Sequence, residues 1–412
     1  MFSPFANGLT SKATSPVFFG VQNSKAQTLL KKQAESESYR EKTLKRLPNT
    51  KVTVLGAAGG LYRGDTFDLA GKINPLLEDQ QRYLFDPGAQ PSTLKGTWIK
   101  SLQEIPQKAT ALVLSPHKFH ANQLKALIQD DKVEGVYCEK PMVINRTELN
   151  ELDKQVKTDK PLYFGDFYYF SGLGLMALMG KKVPYTEFLR IESDPTGKLS
   201  EALESHKPII SNPKEIKGEW LSDSPHYMSG RHWLTSKEEG GGVLLDIIIH
   251  YANLLNLMGM GPKSIETSNL KPFRDFKDNP YFLPHPRGQE DAEARAEITG
   301  MTENGIPYYL ACKQFRDETD KVFSLRLIGE DNSSLSLGLS DGTVTYFDKE
   351  GREAGKLSLN DEPKNKYYQL MMDHALRYLK NPDSKGPLFY EEQQASLDWV
   401  ERAREKAELS RS

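Results

Sequence analysis

Asp246 and His250 lie four residues apart in an otherwise apolar run, E-E-G-G-G-V-L-L-D-I-I-I-H. In a helix this spacing puts both side chains on one face, one turn apart, where the carboxylate can hydrogen-bond or charge-stabilise the imidazole. Burying a carboxylate is costly without a partner, and a histidine beside an aspartate is suited to proton transfer near neutral pH. The preceding glycines let backbone approach a ligand closely. The pattern predicts a proton-transfer pair, and a purely structural pair is the alternative.

A glycine-rich segment, G-A-A-G-G-L-Y-R-G, stands between a predicted strand and a predicted helix, which is the position of a dinucleotide fingerprint. It departs from G-x-G-x-x-G because Ala58 and Leu61 occupy the second and third glycine positions counted from Gly56. Gly59 and Gly60 still allow a pyrophosphate to approach a helix N-terminus, where free amides and the helix dipole favour anions. The alternative is a tight strand-to-helix turn with no ligand.

Asp86 ends the predicted second strand, 30 residues after Gly56. A carboxylate there can accept hydrogen bonds from the adenosine ribose, which favours NAD over NADP. Arg63 and Arg82 leave room for a phosphate, so NADP stays open.

Lys140 follows another predicted strand, in the segment C-E-K-P-M. A lysine just past a strand end of a doubly wound sheet points into the crevice where a nicotinamide lies, and Pro141 prevents immediate continuation as a helix. A surface Lys-Pro turn is the alternative interpretation.

Short apolar runs alternate with helical segments over the first part of the chain, which predicts a doubly wound parallel sheet. The predicted strands start at Lys51 and cover 82–85, 111–114, 133–138 and 162–166, with a helix over 120–130. Beyond the Asp246 helix, strands are predicted over 294–302, 306–315, 322–329, 333–339 and 343–347, followed by helices over 366–380 and 390–409. Asn304-Gly305 and Asp341-Gly342 are hairpin signals, so the second half is predicted to be an antiparallel sheet.

The length of 412 residues indicates two domains, and 54 basic against 56 acidic residues give no reason to expect nucleic acid or an anionic membrane as partner. Cys138 and Cys312 are too few for a disulfide framework and fit a reducing compartment, so a cytoplasmic protein is predicted. The longest apolar stretch, 243–260, is interrupted by Asp246 and His250 and does not suit a membrane span. No metal site is predicted.

Residues 1–50 are small, polar and turn-rich, with no acidic residue before Glu35, and predict a flexible arm. An organellar transit peptide is the alternative, although transit peptides favour arginine and none precedes Arg40.

Four features follow one another along the chain: the first-strand glycines, Ser115-Pro116 with His120, Glu139-Lys140-Pro141, and G-G-G-x-x-x-D-x-x-x-H. In this order they resemble the glucose-fructose oxidoreductase, inositol dehydrogenase and rhizopine-catabolism family of NAD(P)-dependent oxidoreductases. The resemblance runs from Lys51 to Leu409. It implies an N-terminal Rossmann domain, an α+β domain with an open, mainly antiparallel sheet that mediates dimers or tetramers, and a sugar or cyclitol substrate between them. We therefore predict an arm over 1–50, a dinucleotide-binding domain over 51–165, a substrate and oligomerisation domain over 166–389, and a C-terminal helix over 390–412 that packs back on the first domain.

Transferred onto this sequence, the resemblance makes Lys140 the contact of the reacting hydroxyl, Asp246 its partner and substrate anchor, and His250 the general acid and base. The predicted cofactor-binding residues are Gly56, Ala58, Gly59, Gly60, Asp86, Ser115, Pro116, His120, Glu139 and Lys140. Aromatic faces and a fixed charge suit a hydroxylated ring, which gives the predicted substrate-binding residues Tyr168, Tyr169, Arg231, His232 and Trp233. The alternative is that the aromatic residues are core and that the arginine is solvated.

Two departures from the family pattern leave other functions open. The glycine fingerprint is degenerate, and Asp166-Phe167 stands where many relatives carry an Arg-Phe pair. The first affects the choice and affinity of the cofactor, and the second affects the substrate. One alternative is a catalytically inactive relative that binds cofactor or sugar as a regulator. Another is a reductase of a carbon-nitrogen or carbon-carbon double bond, as in dihydrodipicolinate or biliverdin reductases.

Overall fold

The computed structural model describes residues 51–57, 73–77, 80–88, 90, 94–156, 160–221, 231–280, 282–315, 322–359, 363–381 and 390–410. The predicted N-terminal arm and the fingerprint residues Ala58, Gly59 and Gly60 lie outside these ranges.

The first sheet has six parallel strands, in the spatial order 3-2-1-4-5-6. The strands are β1 (Lys51–Leu55), β2 (Gln81–Phe85), β3 (Thr97–Trp98), β4 (Ala109–Val113), β5 (Val133–Glu139) and β6 (Leu162–Gly165). Two helices follow β4 and β5, namely α1 (His120–Gln129) and α2 (Arg146–Val156). All residues of β4 are buried, as expected for a parallel strand whose sheet is covered on both faces. This strand order defines a Rossmann sheet, whose ligands bind at the carboxyl ends of the strands.

The second sheet has nine strands, in the order 7-15-14-13-12-8-11-10-9. The strands are β7 (Arg190–Ser193), β8 (Glu215–Leu221), β9 (Pro262–Pro272), β10 (Glu293–Thr302), β11 (Pro307–Lys313), β12 (Val322–Ile328), β13 (Ser334–Gly338), β14 (Val344–Phe347) and β15 (Glu353–Ser358). Every neighbouring pair is antiparallel except β8 with β11. Buried and half-buried residues alternate along β10, because one face packs on the core. The hairpins predicted at Asn304-Gly305 and Asp341-Gly342 are confirmed, and so is the fold class.

The remaining helices are α3 (Phe167–Ser171), α4 (Leu173–Leu178), α5 (Lys198–Ser205), α6 (Ile249–Leu257 together with the preceding turn Leu244–Ile248), α7 (Pro363–Lys380) and α8 (Tyr390–Leu409). The first turn of α6, Leu244–Ile248, is a π-helical turn. Short 3₁₀ turns cover Asn74–Leu77, Leu102–Glu104, His117–Phe119, Thr186–Phe188, His232–Thr235 and Phe273–Phe276. Among the described residues, no helix combines the length and hydrophobicity that a membrane span requires.

Two C-terminal helices join the two sheets. On α7, the Met371 sulfur lies 3.1 Å from the hydroxyl oxygen of Tyr137 on β5. On α8, Gln393 donates to the backbone oxygen of Gly165 at the end of β6, while Trp399 donates to Tyr308 of the second sheet. The ends of β5 and β6 are therefore held against the second domain, where the candidate site lies.

Candidate active site

Gly56 ends β1 with a backbone conformation that requires glycine. Its φ is +74°, and a Cβ added there would lie 2.6 Å from Ser115 Cα and 2.8 Å from Ser115 N. Its N–H donates to the backbone oxygen of Phe85 at the end of β2. The backbones at the ends of β1, β2 and β4 thus converge on a position without a side chain.

The residues at this edge of the sheet are of the types that suit a dinucleotide site. Gly56 and Asp86 follow β1 and β2, Ser115 and Pro116 follow β4, and Lys140 follows β5. Close approach of bare backbone is the feature that a pyrophosphate requires. The Asp86 carboxylate also accepts a hydrogen bond of 2.8 Å from the Gly88 N–H and so is ordered at the strand end.

His120, a predicted cofactor residue, directs its polar atoms to the backbone. Its Nδ1 lies 2.7 Å from the Pro141 oxygen, and its Nε2 lies 2.7 Å from the Ser115 oxygen. The ring is buried, and burial lowers the pKa of His120. In the described structure, His120 therefore links the segments that follow β4 and β5, and direct contact with a cofactor stays a prediction.

Lys140 and Asp246, which are distant in sequence, meet in a buried ion pair. Lys140 Nζ lies 3.3 Å from Asp246 Oδ1 and donates a hydrogen bond of 2.6 Å to the Asp246 backbone oxygen. Asp246 lies within the π-helical turn of α6. Such turns depart from regular α-helical backbone pairing and are frequent at functional sites. The structure thus brings the strand-end lysine onto the aspartate that the sequence singled out.

Arg231 is a second cation on the same carboxylate. Its Nη2 lies 3.2 Å from both Oδ1 and Oδ2 of Asp246, and its guanidinium stacks 5.1 Å over the ring of Trp233. The arginine is buried. Two of the predicted substrate residues therefore stand beside the lysine-aspartate pair, and the interpretation of Arg231 as a solvated surface residue is wrong.

His250 hydrogen-bonds an aspartate other than the one suggested by the sequence spacing. Its Nδ1 lies 2.8 Å from Oδ1 of Asp166, which caps α3, and Asn253 donates to Oδ2 of the same carboxylate. In a regular α-helix, residues four apart lie on the same face, but the π-helical turn that contains Asp246 changes this arrangement. The charge of Asp246 still acts on His250 and raises its pKa.

The hydrogen bond to Asp166 fixes the protonation of the imidazole. A carboxylate only accepts hydrogen bonds, so Nδ1 of His250 carries the hydrogen and Nε2 keeps a lone pair. Burial lowers the pKa of His250, and the Asp166 charge only partly offsets this effect. Burial opposes ionisation of Asp166 as well, but the bonds from His250 and Asn253 lower its pKa overall. The pair is a neutral imidazole oriented by a carboxylate.

Glu139 stands beside this pair at the end of β5. Burial raises the pKa of Glu139 to about 7, although a short hydrogen bond from the Tyr137 hydroxyl lowers it. The nearby Asp166 charge raises it further. The carboxyl therefore titrates near neutral pH within the site.

The remaining predicted substrate residues lie in different surroundings. Tyr168 packs edge-on against His250, with ring centroids 4.3 Å apart. Tyr169 packs on Phe170, and burial together with the Glu392 charge on α8 raises its pKa. His232 is exposed and bonds the Pro284 oxygen. The structure groups Arg231 and Trp233 with the ion pair and Tyr168 with His250, and it does not group His232 with either.

Three residues of the site had no role predicted for them from the sequence, although Asp166 was noted as a departure from the family pattern. Asp166 follows β6 as Lys140 follows β5, so the rule that ligands gather at strand ends could have found it. Asn253 lies one turn beyond His250 on α6, and its i, i+3 spacing was the available signal. His117 stands between the predicted cofactor residues Pro116 and His120 but carried no signal of its own.

No protein-family model and no curated protein sequence matches the chain. Solved structures do match its fold. A levoglucosan dehydrogenase complex with NADH and levoglucosan is similar with a TM-score of 0.63 at 13% identity, over 88% of this chain and 98% of that chain. Myo-inositol 2-dehydrogenase from Lactobacillus plantarum gives 0.61 at 13% identity over the same shares.

A UDP-N-acetylglucosamine 3-dehydrogenase from Acidithiobacillus ferrooxidans gives 0.57 at 13% identity, over 88% of this chain and 98% of that chain. The chain therefore has the two-domain fold of this group of oxidoreductases, which is the fold that the sequence resemblance implied. At this identity the likeness concerns the fold, and function depends on the site.

Proposed function

We propose that the protein is an NAD(P)-dependent oxidoreductase that interconverts a secondary alcohol and a ketone on a sugar, sugar derivative or cyclitol. The observation that carries the proposal is the meeting of Lys140 with Asp246 beside the neutral, carboxylate-oriented His250 at the ligand-binding edge of a Rossmann sheet. Three structurally similar proteins are named dehydrogenases of a sugar, a nucleotide sugar or a cyclitol.

The cofactor would be held by the strand-end residues Gly56, Asp86, Ser115, Pro116 and Lys140. A bound nicotinamide would supply the hydride acceptor for oxidation and the donor for reduction. Asp86 favours NAD, because its carboxylate suits a ribose hydroxyl and repels a phosphate.

His250 is the proposed general base in the oxidative direction. Its Nε2 has no hydrogen-bond partner among the described residues, and its lowered pKa keeps it neutral and able to accept the hydroxyl proton. Asp166 stabilises the imidazolium that forms, because its carboxylate already accepts the Nδ1 hydrogen.

Lys140 is the proposed hydrogen-bond donor to the reacting oxygen. An ammonium group there favours the alkoxide character that develops during oxidation and polarises the carbonyl during reduction. Asp246 holds the Lys140 ammonium by its side chain and by its backbone oxygen, so the donor is ordered before a substrate binds.

We also propose a cytoplasmic homo-oligomer that assembles through the nine-stranded sheet. Both cysteines are buried and unpaired, as in proteins of reducing compartments. Light scattering of the purified protein tests the oligomer, and a monomer at micromolar concentration contradicts it.

The function is tested by titrating the purified protein with NADH and NADPH while following nicotinamide fluorescence. A panel containing myo-inositol, levoglucosan and hexoses is then screened with NAD and NADP by absorbance of the reduced nicotinamide. We expect cofactor binding and turnover of at least one polyol. Tight binding without turnover would favour a regulator, and absence of both would refute the proposal.

The roles are tested with His250→Asn and Lys140→Met. Each should lower kcat by roughly 10²- to 10⁴-fold, the usual contribution of a positioned proton-transfer group, and should change the NADH affinity far less. His206→Asn and Lys349→Met are matched controls, because both side chains are exposed. Near-full activity of either site variant would exclude its assigned role.

A further inference from the structure

His117 begins the 3₁₀ turn after β4, and its buried ring faces the second domain. The ring packs edge-on against Trp233, with centroids 4.6 Å apart. Its Nδ1 lies 2.9 Å from the Gly240 oxygen, in the turn before α6. The ring is thus held on two sides by the segment that also carries Arg231.

The Gly240 contact determines which nitrogen of His117 carries the hydrogen. A backbone carbonyl only accepts hydrogen bonds, so Nδ1 of the neutral ring is the donor and Nε2 keeps its lone pair. Burial and the Lys140 charge lower the pKa of His117 well below its ordinary value, so the ring is neutral at neutral pH. Within the described part of the chain, Nε2 has no hydrogen-bond partner.

Nε2 of His117 lies close to the lysine-aspartate pair. It lies 3.9 Å from Asp246 Oδ1, which is itself 3.3 Å from Lys140 Nζ. Two hydrogen-bond acceptors at this separation are not bonded to each other. A hydroxyl can donate to Nε2, whereas an ionised carboxylate or phosphate at the same place has only lone pairs to offer.

We propose that His117 is a specificity-determining residue, whose Nε2 accepts a hydrogen bond from a second substrate hydroxyl on the carbon next to the one that Lys140 contacts. This inference rests on the proposed function and narrows its substrate class to neutral rings with neighbouring hydroxyls. If His117 only held the loop against Gly240, its Nδ1 hydrogen bond would be sufficient and its Nε2 would have no role.

Two variants separate the two ring nitrogens. His117→Asn keeps an amide donor near the Nδ1 position for the Gly240 oxygen and removes the Nε2 acceptor. His117→Gln places an amide oxygen near the Nε2 position and restores an acceptor. A purely structural histidine should tolerate the asparagine, and a substrate-contacting one should be better replaced by glutamine.

The first measurement is the tautomer of His117 in the intact protein, from long-range ¹H–¹⁵N correlation spectra assigned with His117→Asn. We expect a hydrogen on Nδ1 and a bare Nε2. A hydrogen on Nε2, or a charged ring at neutral pH, overturns the inference whether or not the protein is a dehydrogenase.

The second measurement compares kcat/KM for the best panel polyol with that for its analogue lacking the neighbouring hydroxyl. The ratio should fall about tenfold in His117→Asn, the effect of one lost hydrogen bond, and should recover in part in His117→Gln. An unchanged ratio in His117→Asn overturns the inference while the wild-type turnover upholds the proposed function. Absence of wild-type turnover across the panel overturns the proposed function, and the inference falls with it.

Discussion

Replacement of Gly56 by alanine should damage the strand-end site directly. The added Cβ would lie 2.6 Å from Ser115 Cα, 2.8 Å from Ser115 N and 3.1 Å from the Leu114 carbonyl carbon. All three atoms are backbone, so no side-chain rotation relieves the contact. The ends of β1 and β4 would have to separate, and both strands are central in the six-stranded sheet.

The expected loss has two parts. A residue other than glycine at φ +74° costs about 1–2 kcal/mol for the left-handed conformation. Forcing packed backbone apart adds about 1–3 kcal/mol, as other overpacking substitutions do. We therefore expect Gly56→Ala to lower the free energy of unfolding by roughly 2–5 kcal/mol, and to weaken dinucleotide binding because the displaced segment is the proposed pyrophosphate approach.

Gly305→Ala is the matched control. Gly305 has the same φ of +74°, and nothing lies within 4 Å of its added Cβ. Its replacement by alanine should therefore cost only the free energy of the left-handed backbone conformation. Urea unfolding followed by tryptophan fluorescence, with NADH titration of both variants, compares them. If Gly56→Ala is no less stable than Gly305→Ala and binds NADH as the wild type does, the steric argument is refuted.

Three further predictions follow from the charges of the site. Asp166→Asn should lower kcat by up to roughly 10⁴-fold while leaving the NADH Kd within a few-fold, and unaltered steady-state kinetics would argue against the carboxylate's role. Burial lowers the pKa of His117, His120 and His250 below 6.5. Below that pH the unfolded chain binds more protons than the folded protein. Urea unfolding should therefore show that, as the pH is lowered below 6.5, the free energy of unfolding falls by up to about 1.4 kcal/mol per pH unit for each histidine. His117→Asn should reduce this slope, and an identical slope contradicts the assignment. Tyr137→Phe removes a bond that lowers the pKa of Glu139 and should raise it above about 7, and a carboxyl ¹³C titration without an upward shift would contradict this.

The fold was predictable to the extent that its signals are local. Buried parallel strands gave continuous apolar runs, and the Asn304-Gly305 and Asp341-Gly342 turns marked their hairpins, so these elements agree with the structure. Several strands of the second sheet were not predicted. The five central residues of β9 alternate poorly, and β7 has no buried residue, because edge strands need no apolar face.

The site was predictable where residue type and strand position coincide, as at Lys140. The partner of His250 was not, because the choice between Asp246 and Asp166 depends on a π-helical turn and on how β6 meets α6, and neither leaves a local pattern. The pairing of Arg231 with Asp246 was not predictable either, because it joins an irregular segment to a helix and leaves no local sequence pattern.

The charges of the cluster favour His250 as the group that takes the substrate proton in the proposed reaction. Lys140 and Arg231 both face the carboxylate of Asp246, so two cations already surround this anion. His250 starts neutral beside the carboxylate of Asp166, which no cation contacts directly among the described residues. A proton that arrives at Nε2 therefore creates an ion pair between the imidazolium and the Asp166 carboxylate. A substrate hydroxyl bound between them should for this reason lose its proton toward the imidazole, with the ammonium stabilising the oxygen throughout.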